Sequence, residues 1–201
     1  MDENQKFIEK CFLNLVEMGE ITNDDFKPST ITDEELDDLQ KKYNIVFPQF
    51  YRDLLQTYYF NFSRLLGVVD DWLIGYNEQY IFITPNIDDG LKNLCKYWDD
   101  CEEAYHFIEN GYLPIGDWGG AGPLCIDTRG DSRSIQYDNK KTWTLVWFDH
   151  EEFFEAKEYA DFKKAERPAA PDLRELMEWY FLGKYDDEYE DYEEDDEEDD
   201  E

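Results

Sequence analysis

Positive charge is what this chain has least of. Its 201 residues carry 19 Lys and Arg against 51 Asp and Glu, a formal net charge of −32. A surface of that sign excludes a nucleic-acid binder, because phosphates are held by Lys and Arg that displace counterions. It also excludes attachment to anionic membranes. Histidine is scarcer still, with only His106 and His150. Both read as surface or structural residues, His150 beside a helix start and His106 in a polar, aromatic stretch. The four cysteines, Cys11, Cys95, Cys101 and Cys125, are scattered without a CxxC pair. That spacing excludes the usual zinc and redox motifs and points to reduced thiols, with a Cys95–Cys101 bridge as the one alternative. The longest strongly apolar run, residues 143–148, is far too short to span a bilayer. Residues 1–4 have neither the basic nor the apolar region of a secretion signal, so the expectation is a cytoplasmic protein.

Aromatic residues are plentiful, at 17% of the chain, which supports a packed body. The last 17 residues differ, with fourteen acids and three tyrosines. Like charges repel along such a run, and it has no apolar period. The expected organisation is one globular domain over residues 1–184 and an acidic disordered tail over 185–201. The tail is not the whole source of the charge. Without it, 19 cations still face 37 acids, leaving −18 on the body. Such a field steers basic proteins inward and speeds encounter by roughly 10–10³-fold at low salt.

Two blocks carry the organisation. In residues 31–59, Thr32 followed by Glu35 forms a capping box, and Asp33 and Glu34 fill the first turn. Leu36, Leu39 and Tyr43 make one apolar stripe. Pro48 interrupts and pushes Phe47 to an extended conformation. Tyr51, Leu54, Leu55, Tyr58 and Tyr59 then resume helical spacing. In residues 111–137, Tyr112–Ile115 reads as a strand with Pro114 at an edge or first position. Gly116, Gly119, Gly120 and Gly122 make a turn tolerant of positive φ. Leu124, Ile126 and Thr128 form a second strand, and Ser134–Tyr137 a third, after a hairpin at Thr128–Asp131.

Elsewhere, residues 6–18 read as an amphipathic helix and 23–29 as a polar connection. Short strands are expected at 65–69, 72–76 and 79–84, and a helix over 86–101 with Leu91, Leu94, Cys95 and Trp98 on one stripe. Residues 143–148 suit a central buried strand. Asp149 reads as the N-cap of a helix running to about Ala165, broken by Pro168 and Pro171. A last helix spans 173–182 and stops at Gly183. Helices, then strands, then helices indicate an α+β fold, an antiparallel or mixed sheet flanked by helices.

No reaction is written in the motifs. There is no nucleophile elbow, no histidine placed against a cysteine, no phosphate-binding glycine pattern and no EF-hand. The expectation is a chain without enzyme activity, metal or cofactor. Acids beside aromatics remain: Asp70, Asp71 and Trp72; Asp99, Asp100, Glu102 and Glu103 after Trp98; and Asp117 with Trp118. An aromatic anchor with a charged rim suits a protein interface. Trp98 reads more readily as core, and Trp118, among glycines, as an anchor.

The two blocks together resemble the SUKH superfamily, which includes the yeast cell-wall-synthesis regulator family and many bacterial immunity proteins. Tyr43–Pro48 matches its helix-ending "lg-x-x-LP" step, Tyr51–Leu55 its "x-x-Y-x-x-LL" helix, and Leu113–Asp127 its "lPig-x-x-x-x-G-x-x-l-x-lD" segment. The chain departs where a glycine usually ends the second helix and has Tyr59-Phe60-Asn61-Phe62 instead. The resemblance implies a SUKH-like single domain. It implies a monomeric immunity protein that neutralises a basic, nuclease-type toxin domain by occlusion. Its alternative is a non-catalytic regulatory scaffold of the yeast cell-wall-regulator type.

Overall fold

The computed structural model describes residues 2–60, 90–100, 102–118, 122–129, 144–150, 152–153 and 156–183, with the backbone alone at 102, 103 and 117. The strands expected at 65–69, 72–76, 79–84 and 134–137, the cluster Asp70–Trp72 and the tail over 185–201 lie outside the described residues.

Helix α1 (Glu3–Glu17) begins earlier than its apolar stripe, because Asp2 and Gln5 form a reciprocal capping box. It buries Phe7, Ile8, Cys11, Phe12 and Leu15. Helix α2 (Asp33–Tyr43) starts as its sequence dictates. Thr32 Oγ1 accepts from Glu35 N at 3.3 Å, and the Glu35 carboxylate accepts from Thr32 N at 2.8 Å. It ends at Asn44 in the left-handed conformation, φ 51°. The extended hinge that follows is closed by Phe47 N donating to Gln40 Oε1 at 2.7 Å. Helix α3 (Gln49–Thr57) then runs on from Pro48.

Tyr58 and Tyr59 do not continue α3, as their spacing had implied. They open strand β2 (Tyr58–Phe60), which pairs antiparallel with β1 (Phe26–Pro28), a strand within the expected polar connection. The reason is tertiary. Leaving the helix lets Phe60 pack on Phe12 at 5.1 Å and Tyr58 on both Phe12 and Phe26, at 4.8 and 5.0 Å.

Helix α4 (Leu91–Asp100) buries Leu94 and Trp98, and helix α5 (Glu102–Glu109) follows almost at once. The stretch around His106, read as merely polar and aromatic, is helical because Ala104, Phe107 and Ile108 share one buried side.

Strands β3 (Tyr112–Asp117), β4 (Pro123–Asp127), β5 (Leu145–Phe148) and β6 (Glu166–Ala170) form an antiparallel sheet in that order. Among the described strands Pro114 lies on an outer one, and β5 is internal. Gly116 belongs to β3 rather than to the turn: it faces Leu124 after a register shift from Pro114. The helix expected from Asp149 to Ala165 is not formed. A turn at Asp149 buries Phe153 instead, and helix α6 is confined to Tyr159–Ala165. The prolines that follow do not simply break the chain. Pro168 sits in β6, the outer strand on the other side among the described residues, where a missing N–H costs little to the ladder. Helix α7 (Leu173–Phe181) ends before Gly183, φ 65°.

Period-two alternation sorts the sheet into two cores. Leu113, Leu124, Ile126 and Leu145 join the larger core with α1, α3 and α7. Tyr112, Cys125, Val146 and Phe148 join a smaller aromatic core with Phe107, Phe153 and Phe162.

Candidate interaction surface

The surface is organised by Trp98. Its side chain is fully buried, and its Nε1 donates to Pro114 O at 3.1 Å, binding α4 to the outer edge of β3. Tyr43 and Phe47, from the α2–α3 hinge, pack on its ring at 5.1 and 5.9 Å. Trp98 is therefore core. It sets Asp99 and Asp100 on the surface at the end of α4, with Asp117 three residues further along β3 than its Pro114 contact.

Asp99 is held in place. Lys42 Nζ donates to its two oxygens at 3.1 and 2.8 Å, and Tyr43 Oη donates at 2.9 Å. Those bonds, Lys42 first, hold the Asp99 carboxyl below the usual range, and burial pushes the Tyr43 hydroxyl up to about 12. A depressed folded value stabilises the fold above the unfolded value and loses that contribution as pH falls through the folded one. The pair is half-exposed, so Asp99→Asn should cost under about 1 kcal/mol at neutral pH. The gap to the parent should close as pH drops from about 4 through the depressed value, in urea titrations at stepped pH. A gap that persists in acid would contradict the assignment.

Asp100 is exposed beside this pair, and the α5 backbone begins at Glu102 and Glu103. Trp118 is half-buried against the larger core, and its N–H donates to Gly122 O at 2.8 Å. The structure thus brings the Asp99–Asp100 pair and the Asp117–Trp118 end of β3 to elements joined through Trp98. Asp70, Asp71 and Trp72 lie outside the described residues.

The cations do little to offset the acids. Lys41, Lys42, Arg52, Lys163, Lys164, Arg167 and Arg174 each sit against a carboxylate. Arg52 spans two, Asp33 and Asp37, each at 2.7 Å. A second polar cluster lies inside the smaller core. Tyr112 Oη donates to the buried Glu166 at 2.9 Å, Lys163 pairs with the same carboxylate, and Tyr159 Oη donates to Asp127 at 3.2 Å. Burial first, then the Glu166 charge, drives the Tyr112 hydroxyl far above its ordinary value. Nothing in the sequence signals this cluster, since Tyr112 and Glu166 are 54 residues apart. Among the described residues no three His, Cys, Asp or Glu side chains converge as a metal site, and no helix is long and apolar enough to cross a membrane.

Taken together, the sheet order, the hinge between α2 and α3 and the tryptophan lock define a small acidic α+β domain built around a helix–hinge–helix unit. Residues 30–179 match the SMI1 / KNR4 family (SUKH-1), and the chain belongs to that family. Membership carries an immunity-protein or SMI1-like role at the level of the family. Comparison with curated proteins and with solved structures gives no match. Helix α1 lies outside the matched segment, yet it fills the larger core with Phe12 and Leu15.

Proposed function

We propose that this chain is a cytoplasmic immunity protein that binds a basic, nuclease-type toxin domain and neutralises it by covering the face that would meet nucleic acid. No bond is made or broken. Residues 1–184 act as the recognition domain and 185–201 as a charged extension. The observation that carries this reading is the unbalanced field. The body bears −18 without its tail, and seven of its cations, Lys41, Lys42, Arg52, Lys163, Lys164, Arg167 and Arg174, already sit against its own carboxylates. Family membership supports it. Contact falls on Asp70, Asp71, Trp72, Asp99, Asp100, Glu102, Glu103, Asp117 and Trp118, with Trp118 as the apolar anchor and the acids as the steering rim. The partner binds a single copy of the chain.

The test is kinetic. A catalytically disabled toxin domain recovered as the partner by co-purification from the native host should associate at about 10⁸–10⁹ M⁻¹s⁻¹ at low salt, slowing steeply as salt rises. Neutralising Asp99, Asp100 and Asp117 to Asn should reduce the association rate more than it raises dissociation. Binding indifferent to salt, or a partner with no basic face, would count against the reading. A set of regulatory partners in place of one toxin would favour the scaffold role.

A further inference from the structure

A cavity of about 270 Å³ lies where the first turns of α1, α3 and α7 meet β4. Asn4, Phe50, Tyr51, Leu173 and Arg174 contribute to its wall. Three helix N-termini therefore open on one space. The leading amides of a helix have no acceptor within it and carry a partial positive charge. At α3 the cap is Pro48, whose side chain accepts nothing. At α7 the Asp172 carboxylate takes Glu175 N, beyond the two leading amides, and at α1 Asp2 likewise takes Gln5 N.

An independent observation points the same way. Tyr51 is 2% exposed and, among the described residues, its hydroxyl has no hydrogen-bond partner. An unpaired buried hydroxyl is costly, because its lost hydration is not repaid by any hydrogen bond. Arg174 supplies a cation, stacked on Phe7 at 4.2 Å and bonded to Asn4 Oδ1 at 3.1 Å, with exposed Glu3 at 4.0 Å as its carboxylate partner among the described residues. The buried acid nearby, Asp53, has both oxygens already satisfied, by Asn4 at 2.6 Å and Gln49 at 2.7 Å. The leading helix amides and the Tyr51 hydroxyl are thus left as donors, beside apolar walls of Phe50, Ile126 and Leu173 and the capping carboxylate of Asp172.

We propose that this cavity binds a small organic carboxylate. Its oxygens take the helix amides, the Tyr51 hydroxyl and Arg174, and its compact apolar body lies against Phe50, Ile126 and Leu173. The volume is that of about nine waters, enough for a single-ring or branched aliphatic acid. The site goes beyond toxin recognition and shares no residue with that surface, so either can fail alone.

The full chain is titrated with phenylacetate and with phenylacetamide while backbone amide NMR signals are followed. Phenylacetate should shift Phe50, Tyr51, Leu173 and Arg174 and bind about tenfold tighter than the amide. Tyr51→Phe should weaken phenylacetate about tenfold while melting no lower than the parent, since it removes an unpaired hydroxyl. Arg174→Gln should weaken it further. Equal binding of acid and amide, unchanged binding by Tyr51→Phe, or no shift at these amides with either probe would overturn the proposal. The last result would mean that the cavity holds water alone.

Discussion

Trp98→Ala should cost the fold about 3–5 kcal/mol, a large part of the roughly 5–15 kcal/mol that keeps a domain folded. The side chain is fully buried, so its removal opens a cavity between Tyr43, Phe47 and the β3 edge. It also removes the donor to Pro114 O. For a chain of this size the melting temperature should fall by roughly 6–20 °C. Trp98→Phe separates the two contributions. It keeps most of the apolar volume while losing the pyrrole edge and its hydrogen bond, for about 1–3 kcal/mol. Urea unfolding followed by circular dichroism gives both values. The same variants bear on recognition, because α4 is fixed to β3 through this ring. Trp98→Ala should lower partner affinity even under conditions where it stays folded. A Trp98→Ala protein within about 0.5 kcal/mol of the parent would show that the ring does not organise this surface.

Gly122→Ala should be nearly as damaging, for a different reason. Gly122 has φ 151°, and a Cβ built there would lie 1.9 Å from Phe148 O and 3.1 Å from His150 N. Both neighbours are backbone at the end of an internal strand, so neither can rotate away. Strained dihedrals alone cost about 1–3 kcal/mol. With the clash added, the loss should reach about 4 kcal/mol or more. Gly183→Ala is the matched control: φ is 65°, but the added carbon meets nothing within 4 Å among the described residues. It should cost only about 1–2 kcal/mol. Gly122 O also accepts from Trp118 N, so hydrogen exchange at the Trp118 amide should quicken in Gly122→Ala. Equal losses at the two glycines would contradict the close approach.

What could be read in advance was whatever two near neighbours decide between themselves. The Thr32–Glu35 box is complete within one turn. Pro48 sets its own dihedral, and Gly183 closes α7 as its position implied. The run ending at Phe148 is apolar enough to demand an internal strand. The errors fall where distant residues overrule local ones. Tyr58 has helical spacing from Tyr51, but the ring of Phe12 draws it into a strand. The stretch after Asp149 has aromatic residues at helical intervals, yet Phe153 and Phe162 are buried from a turn and a short helix. Pro168 looked like punctuation because an edge strand cannot be recognised until its sheet is known. Surface residues suffer the same limit. Asp99 was legible as an exposed acid, but its engagement with Lys42 depends on α2 lying against α4. The cavity is assembled from residues 4, 51 and 174, a grouping that no spacing rule could reveal.

The alternation along β3, β4 and β5 has an evolutionary corollary. Neighbouring positions on one strand answer to different surroundings, so the sheet acts as a partition between two separately filled compartments. Replacements far apart in the two compartments should combine nearly additively, since additivity holds for well-separated sites without shared partners. A lineage could rebuild the aromatic compartment while the larger one preserves the framework, which leaves the fold room to diversify.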